Sequence, residues 1–269
     1  MYIKSYAEKE VKLCATCGTA YPTNMASTTC MICLDERQWV PQNGQIWIPH
    51  SELLKTHSVK LNRIQENFYE LIINPKFAIG QRALLVLSEH GNILWDCIPL
   101  LDELTIEFIK AKGGLKAIAF SHPHFYSNMN EWADIFDCPI LIHKNDAEHI
   151  MVKEKHLILW EGDELELWDG MKLYLIGGHF AGSSILHVPH LSKKGAILCG
   201  DTLYLSPNKQ HFSVVWSSPN RMPLPLSEIR RIQNRFEQIT FDTFYGFVSI
   251  QNLTKNVKEI LKKSFDRYK

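Results

Sequence analysis

The chain has 269 residues, of which 45% are hydrophobic and 22% are charged, proportions that are ordinary for a globular protein with a sizeable core. Its 29 Lys and Arg residues balance 29 Asp and Glu residues, so the formal net charge is zero. This balance argues against a protein whose main partner is a nucleic acid or an anionic membrane surface.

The N-terminal segment and the cysteine count indicate where the protein resides. Met1–Val11 is charged and lacks the apolar core of a signal peptide, and no apolar run approaches the roughly 20 residues that span a bilayer. The seven cysteines are an odd number and include two CxxC pairs, which favours metal binding in a reducing compartment over disulfides. We therefore expect a cytoplasmic protein with no membrane partner.

The first predicted module covers residues 1–48 and is too small for an apolar core of its own. It contains Cys14 and Cys17 and, after a spacer of twelve residues, Cys30 and Cys33. Two CxxC pairs at this separation deliver four thiolates to one tetrahedral ion, which predicts a zinc ribbon. Four cysteines close the coordination sphere, so we expect this zinc to be structural.

The second predicted module covers residues 49–269 and begins with a polar helix, Ser51–Gln65. The strands that follow are predicted at Ala83–Ser88, Ile93–Asp96, Leu115–Phe120, Pro139–His143, Glu164–Trp168, Met171–Ile176, Ser183–Val188, Ala196–Cys199 and Thr240–Tyr245. The helices are predicted at Leu101–Lys112, Asn130–Phe136, Asp146–Met151, Ser227–Gln238 and Asn252–Tyr268. Two rounds of strands followed by helices predict an α/β (α+β) protein in which two sheets pack face to face with helices outside.

Three histidines and one aspartate form the candidate catalytic site. His122 and His124 follow an apolar strand and are two residues apart, so on an extended segment both imidazoles face the same side. His179 lies in a glycine-rich turn, and Asp201 follows another apolar strand. This set predicts a catalytic metal site with one position open to water.

The order of these motifs resembles the metallo-β-lactamase superfamily along the whole of the second module. The residues that carry the resemblance are Leu94-Trp95-Asp96, Ser121-His-Pro-His124, Gly178-His179 and Gly200-Asp201. The chain is similar in particular to a subgroup that has an N-terminal zinc ribbon and the sequence HPHFY followed by EWA. The resemblance implies a four-layer αββα sandwich, with the three histidines as first-site ligands, Asp201 as the bridging carboxylate and Asp96 as a brace for the site loops.

The chain departs from the superfamily at the second metal site. The usual HxHxDH motif is replaced, because Tyr126 and Ser127 stand where its last two ligands belong, and Tyr245 stands at the usual final histidine. The resemblance therefore implies one metal ion, zinc or iron, in place of two. The hydroxyls of Tyr126 and Tyr245 either donate to a developing oxyanion or fill the space of the missing ligands.

Three functions are compatible with these residues. The first is a mononuclear hydrolase of a small ester, thioester or lactone, in which Asp201 completes the coordination sphere or accepts a proton. The second is a catalytically degenerate protein that binds a ligand or partner on the same fold. The third is a mononuclear iron dioxygenase, since histidines plus one carboxylate can hold Fe(II). Two roles are open to the ribbon, which either covers the mouth of the site or forms a homodimer contact.

Overall fold

The computed structural model describes residues 10–25 and 28–268 of the chain. Its first unit is a three-stranded antiparallel sheet with strand order β2-β1-β3 and one short helix. The elements of this unit are β1 (Val11–Cys14), β2 (Ala20–Pro22), α1 (Met31–Leu34) and β3 (Trp47–Pro49). The predicted module boundary between residues 48 and 49 falls inside β3 and stays a prediction, and residues 1–9, 26 and 27 of that module lie outside the described residues.

A seven-stranded sheet follows, with strand order β10-β9-β8-β7-β6-β5-β4. Its strands are β4 (Ser58–Gln65), β5 (Phe68–Asn74), β6 (Ala83–Val86), β7 (Ile93–Trp95), β8 (Ala117–Ala119), β9 (Ile140–His143) and β10 (Leu157–Trp160). The helices associated with it are α2 (His50–Thr56), α3 (Glu103–Ala111) and α4 (Met129–Phe136). Strands β4 to β7 pair antiparallel, whereas β7 to β10 pair in parallel through helical or looped crossovers.

A six-stranded sheet forms the second half, with strand order β11-β12-β13-β14-β17-β18. Its strands are β11 (Glu164–Glu166), β12 (Lys172–Leu175), β13 (Ser184–Val188), β14 (Ala196–Cys199), β17 (Thr243–Tyr245) and β18 (Asn252–Leu253). A separate hairpin of β15 (Tyr204–Leu205) and β16 (Phe212–Ser213) follows β14, and the helices are α5 (Leu226–Gln238) and α6 (Val257–Phe265).

The alternation of side chains along the strands creates the layers. In β8, Ala117 and Ala119 belong to a core shared by both sheets, whereas Ile118 packs with residues of α3 and α4. In β14, Leu198 lies in the shared core, whereas Ile197 packs with α5 and α6. Because successive side chains point to opposite faces of a strand, fully apolar strands become buried on both sides. The result is the predicted αββα sandwich.

Three predicted helices were wrong in part. The helix predicted at Asp146–Met151 is a 3₁₀ helix over Lys144–His149. Ser58–Gln65 is strand β4, which pairs antiparallel with β5 from Ser58 to Gln65; only His50–Thr56 is helical. Val59 and Leu61 alternate with more exposed residues, and a period of two is typical of a strand. The strand forms because β5 pairs with this segment. The C-terminal helix starts at Val257 because Asn256 has φ +56°, a left-handed conformation that a continuous helix does not contain.

None of the helices among the described residues combines the length and the apolar character that a membrane crossing requires.

Arg82, which precedes β6, ties the two sheets together. Its Nη1 donates to Glu70 of β5 at 2.7 Å, and its Nε and Nη2 donate to the Gly246 carbonyl at 3.0 and 2.8 Å. Nη2 also donates to Asn252 of β18 at 2.6 Å. The Arg82 side chain is only 1% exposed, so each of these partners would lose its hydrogen bond inside the protein if the guanidinium were removed.

We expect Arg82→Met to lower the free energy of unfolding by about 3–5 kcal/mol, because it leaves the Glu70 carboxylate buried without its charge partner. Urea unfolding at pH 7 measures this change. The matched control is Arg63→Met, which removes an exposed guanidinium bonded to one carbonyl and should change the free energy by less than about 0.5 kcal/mol. A cost for Arg82→Met below 1 kcal/mol would contradict the assigned role.

Candidate metal centre

The loop after β8 presents the first two histidines. His122 is extended, with φ −173° and ψ 170°, and a single 3₁₀ turn over Pro123–Phe125 then carries His124. The sequence predicted one extended segment through both histidines, and the structure has a 3₁₀ turn there instead. Both imidazoles still reach one point. His179 comes from the turn between β12 and β13, and Asp201 follows β14 by two residues.

The four side chains converge on one small volume. Nε2 of His179 lies 3.3 Å from Nδ1 of His124. Oδ2 of Asp201 lies 3.6 Å from Nε2 of His122, 3.7 Å from Nε2 of His179 and 4.0 Å from Nδ1 of His124. One ligand atom from each residue lies within 4.8 Å of all the others, and every residue of the set is buried.

These separations fit a single ion. A tetrahedral zinc with bonds of about 2.0–2.1 Å separates its nitrogen and oxygen ligands by about 3.3 Å. Nε2 of His122 and Oδ1 of Asp201 are buried without a hydrogen-bond partner among the described residues, although buried polar atoms are normally paired. The donor set and its unpaired atoms therefore fit a bound metal ion.

Hydrogen bonds behind two of the histidines fix their tautomers. Nδ1 of His122 lies 2.8 Å from Oγ of Ser121, and that hydroxyl donates to the carboxylate of Asp96 at 2.9 Å. Nδ1 of His179 donates to the Trp216 carbonyl at 2.7 Å. With the proton on Nδ1, each ring turns an unprotonated Nε2 toward the centre, which is the form that binds metals.

Asp96 braces the site as the resemblance implied. Its carboxylate accepts hydrogen bonds from both the backbone N–H and the hydroxyl of Ser121. Burial raises the pKa of Asp96 to about 8, although the hydrogen bonds from Ser121 lower it. The close approach of Gly200 belongs to the same arrangement, because a Cβ there would collide with the Ser121 hydroxyl.

The ionisation states favour neutral imidazoles beside a charged carboxylate. Burial lowers the pKa of His124 to about 4, and it lowers the pKa of His179 well below its ordinary value. Burial also raises the pKa of Asp201, but the neighbouring imidazoles of His122 and His124 outweigh this effect and hold it below its ordinary value. Neutral imidazole and ionised carboxylate are the forms that coordinate a cation.

The tyrosines that replace second-site ligands are placed apart from this cluster. Tyr126 is buried and its ring packs edge-on against Phe120. The hydroxyl of Tyr245 lies 3.3 Å from Oε1 of Gln65, and its ring contacts Phe68. Within the described part of the chain, neither hydroxyl is hydrogen-bonded to the histidine cluster, so their catalytic role stays a prediction.

Ser127, at the other replaced position, is used in a structural hydrogen bond. Its Oγ accepts a hydrogen bond from Nε2 of Gln81 at 3.0 Å, and its backbone carbonyl accepts one from Ala20 of the ribbon at 3.0 Å. Within residues 10–25 and 28–268, the groups of His, Cys, Asp and Glu that could hold an ion are two: the histidine cluster with Asp201 and the four cysteines of the ribbon.

The ribbon cysteines are assembled as the spacing predicted. Sγ of Cys14 lies 3.6 Å from Sγ of Cys33, and Sγ of Cys17 lies 3.5 Å from Sγ of Cys30. A tetrahedral zinc with bonds of about 2.3 Å separates its sulfur ligands by about 3.8 Å, so the four thiols fit one ion. Hydrogen bonds with the other three cysteines lower the pKa of Cys14, whereas burial raises the pKa of Cys17.

The side chains that cover the histidine cluster were not identified from the sequence. The Phe180 ring contacts the rings of His124 and His179, with centroids 4.9 Å away in both cases. The guanidinium of Arg37, from the ribbon, lies 4.0 Å from the centroids of Phe180 and of Trp216. Nothing in the local sequence around Arg37 indicates this position.

A cavity of about 330 Å³ lies between the ribbon and the main domain. Its lining includes Tyr21 and Ile32 of the ribbon and Tyr126 and His149 of the main domain, but none of the four ligands of the histidine centre. The His149 ring, in the cavity wall, contacts Phe180 with a centroid distance of 4.9 Å.

Comparisons with known proteins place the fold and the family. No family model matches the chain. Solved structures similar to it include DIM-1 metallo-β-lactamase (TM-score 0.57, 13% identity, 79% of this chain and 99% of that chain) and VMB-1 (TM-score 0.57, 16% identity, 78% and 96%). TMB-1 matches with a TM-score of 0.57 at 14% identity, over 78% of this chain and 98% of that one. At these identities the likeness shows the fold alone.

A relative of known sequence extends over nearly the whole chain. The uncharacterized protein YmaE of Bacillus subtilis (strain 168) is 35% identical over 260 residues, which are 95% of this chain and 94% of that protein. The match includes the ribbon as well as the main domain, because it leaves out so few residues. This chain has a metallo-β-lactamase fold behind an N-terminal four-cysteine ribbon, and it belongs to the family of YmaE.

Proposed function

We propose that the chain is a metal-dependent hydrolase with a single catalytic ion, held by His122, His124, His179 and Asp201, that acts on a small ester, thioester or lactone. The convergence of four buried ligand atoms within 4.8 Å carries this proposal. The one-ion stoichiometry is supported by the residues at the replaced second-site positions, where Ser127 bonds to Gln81 instead of facing the cluster.

The chain itself supplies the orientation and the proton acceptor. Ser121 and the Trp216 carbonyl hold two histidines as Nδ1–H tautomers, which keeps their Nε2 lone pairs aimed at the centre. Oδ2 of Asp201 faces the histidines, and its Oδ1 is buried without a hydrogen-bond partner among the described residues. Because its pKa is lowered, Asp201 is ionised at neutral pH, the form that coordinates a cation. The role of proton acceptor is assigned to Oδ1 on its position and not on its basicity.

A divalent ion in this cage would supply Lewis acidity toward water and toward a carbonyl oxygen. Zinc and Fe(II) are both compatible with three imidazoles and one carboxylate. The fold alone does not fix the chemistry. The proposed substrate class, a small ester, thioester or lactone, therefore rests on the superfamily resemblance.

Burial of the cluster favours a second candidate function. None of the four ligand residues is more than 6% exposed, and the Phe180 ring packs against them. A fully enclosed centre is typical of a structural metal site. On this alternative the protein binds a ligand or a partner and does not turn it over.

Hydrolysis assays on protein of known metal content test the proposal. We expect wild-type protein loaded with Zn²⁺ or Fe(II) to hydrolyse at least one of 4-nitrophenyl acetate, an acyl thioester and a γ-lactone. Asp201→Asn should lower kcat by about 10²–10⁴-fold, the usual contribution of a positioned proton acceptor. The matched control, Asp134→Asn, replaces a carboxylate that pairs with Lys155 and His156 and should leave kcat unchanged.

Two results would contradict the hydrolase proposal. One is a fully metallated wild-type protein that turns over none of the three substrates. The other is an Asp201→Asn variant with wild-type kcat. The first result would favour the binding protein, and oxygen-dependent turnover with Fe(II) in place of hydrolysis would favour the dioxygenase.

A further inference from the structure

The ribbon reaches the histidine centre through the segment Asp35–Gln38. This segment directly follows α1, the helix that carries Cys33 of the four-cysteine site. The Asp35 carboxylate accepts hydrogen bonds from the backbone N–H of Arg37 at 2.9 Å and from its Nη1 at 2.6 Å. These two bonds form a closed local turn that holds the Arg37 side chain in one direction.

Four hydrogen bonds join this segment to a loop of the main domain, residues 216–220. Oγ of Ser217 donates to the Arg37 carbonyl at 2.7 Å. Nδ2 of Asn220 donates to the carbonyls of Glu36 at 2.9 Å and Gln38 at 3.0 Å. Nε1 of Trp216 donates to the carboxylate of Glu36 at 2.9 Å. The loop is therefore bound along its length to the ribbon.

Between these backbone contacts, the Arg37 guanidinium is stacked between two aromatic rings. Its Cζ lies 4.0 Å from the centroids of both Phe180 and Trp216, and the residue is 8% exposed. A cation is attracted to the face of each aromatic ring, and this attraction is stronger when the cation is removed from water. The stack therefore fixes the two rings relative to each other.

Both aromatic residues act directly on His179. Phe180 is its neighbour in sequence and contacts its ring, with centroids 4.9 Å apart. The Trp216 carbonyl accepts the Nδ1 hydrogen of His179 at 2.7 Å. A hydrogen bond of this kind sets the tautomer and the ring orientation of a metal-binding histidine.

We propose that Arg37 is a positioning residue for the histidine centre: it clamps Phe180 and Trp216 and thereby fixes the orientation in which His179 presents Nε2. The ribbon is then a working part of the metal site and not only an appended module. This inference rests on the proposed function only in assuming that the cluster binds a metal ion. It extends that function by making the affinity of the centre depend on the ribbon.

Cobalt(II) titration of the metal-free full-length chain tests this role, because the two sites give separate signals. Thiolate-to-cobalt charge-transfer absorption in the ultraviolet reports the ribbon alone. Both sites give visible d–d bands, but those of a four-thiolate site lie at longer wavelength, so the shorter-wavelength visible bands report the site with nitrogen and oxygen ligands. We expect Arg37→Met to weaken Co²⁺ binding at the histidine centre by about 10- to 100-fold, as the loss of a histidine's outer partner does. Binding at the ribbon should stay at the wild-type level.

A conservative variant and a matched control separate positioning from general stability. Arg37→Lys retains the charge but not the planar stacking group, so its Co²⁺ affinity should fall between those of the wild type and Arg37→Met. The control is Arg235→Met, which removes another guanidinium above an aromatic ring, 5.4 Å from the centroid of Tyr174, and should leave both titrations unchanged. A wild-type affinity at the histidine centre of Arg37→Met would overturn the proposal.

A second variant covers the case in which Arg37→Met does not fold. Asn220→Ala removes two of the four bonds between the ribbon segment and the loop, and we expect it to weaken Co²⁺ binding at the histidine centre by severalfold. Asn208→Ala, in an exposed turn, is its control. Unchanged affinity in Asn220→Ala would also count against the clamp.

Turnover does not enter this readout, so the two proposals can fail separately. Wild-type protein that binds Co²⁺ at the histidine centre, loses affinity in Arg37→Met and hydrolyses nothing would contradict the hydrolase and support the clamp. If the wild type hydrolyses a substrate and Arg37→Met binds Co²⁺ at the histidine centre with wild-type affinity, the hydrolase is supported and the clamp is contradicted. A wild-type chain that takes up cobalt only at the ribbon would contradict both proposals.

Discussion

Replacing His124 or His179 with alanine is expected to reduce the metal content from about two ions per chain to one and to lower hydrolysis by about 10³-fold or more. Nδ1 of His124 and Nε2 of His179 lie only 3.3 Å apart, so each substitution removes a ligand from the middle of the cluster. The cysteines of the ribbon should retain their own ion. Elemental analysis of protein purified without added metal measures the change.

The control for this experiment is His156→Ala. Nε2 of His156 lies 3.1 Å from the carboxylate of Asp134, so this substitution removes a histidine that has no part in the cluster. We expect it to keep two ions per chain and full activity. One ion in the wild type and in both site variants would mean that only the ribbon is metallated, and the binding-protein alternative would then be preferred. The identity of the lost ion decides between zinc and iron.

Replacing Cys17 or Cys30 with serine is expected to unfold the ribbon and to lower its stability by several kcal/mol, because structural zinc contributes about 10–16 kcal/mol of apparent binding free energy in small zinc modules. The apolar cluster of the ribbon consists of the four cysteines with Tyr21 and Ile32, which is too small to fold without a metal. The loss should appear as rapid proteolysis within residues 10–49 and as one fewer metal ion per chain.

Cys138→Ala is the matched control for the ribbon substitutions. Cys138 is a buried thiol in the apolar cluster beneath the first sheet, so its replacement perturbs packing but no metal ligand. We expect this variant to keep both ions and a protease-resistant ribbon. A Cys17→Ser variant with wild-type metal content and wild-type protease resistance would show that the ribbon does not depend on its metal.

The sequence alone predicted the layers of the fold and the residues that the structure brings together in the two candidate metal sites. Apolar strands such as Ala117–Ala119 and Ala196–Cys199 lie where they were expected, because a strand that is buried on both faces has a sequence that is apolar throughout. The CxxC pairs and the HPH motif are local patterns whose ligand spacing follows from short stretches of chain. His179 and Asp201 joined the set because each follows a strand and because their order resembles a known superfamily.

Only the tertiary structure decided the contacts between segments that are distant in the chain. Ser58–Gln65 became a strand because β5 pairs with it, although a polar segment of this composition also suits a helix. Arg37 contacts Phe180 and Trp216, which are more than 140 residues away in the chain. No periodicity or motif in the sequence indicates a contact at such a separation. The carbonyl that orients His179 belongs to the backbone of Trp216. Because every residue type has a backbone carbonyl, the residue type at position 216 does not indicate this role. The residues of a site can therefore be read from side-chain chemistry, whereas the groups that orient them depend on packing that forms only when the chain folds.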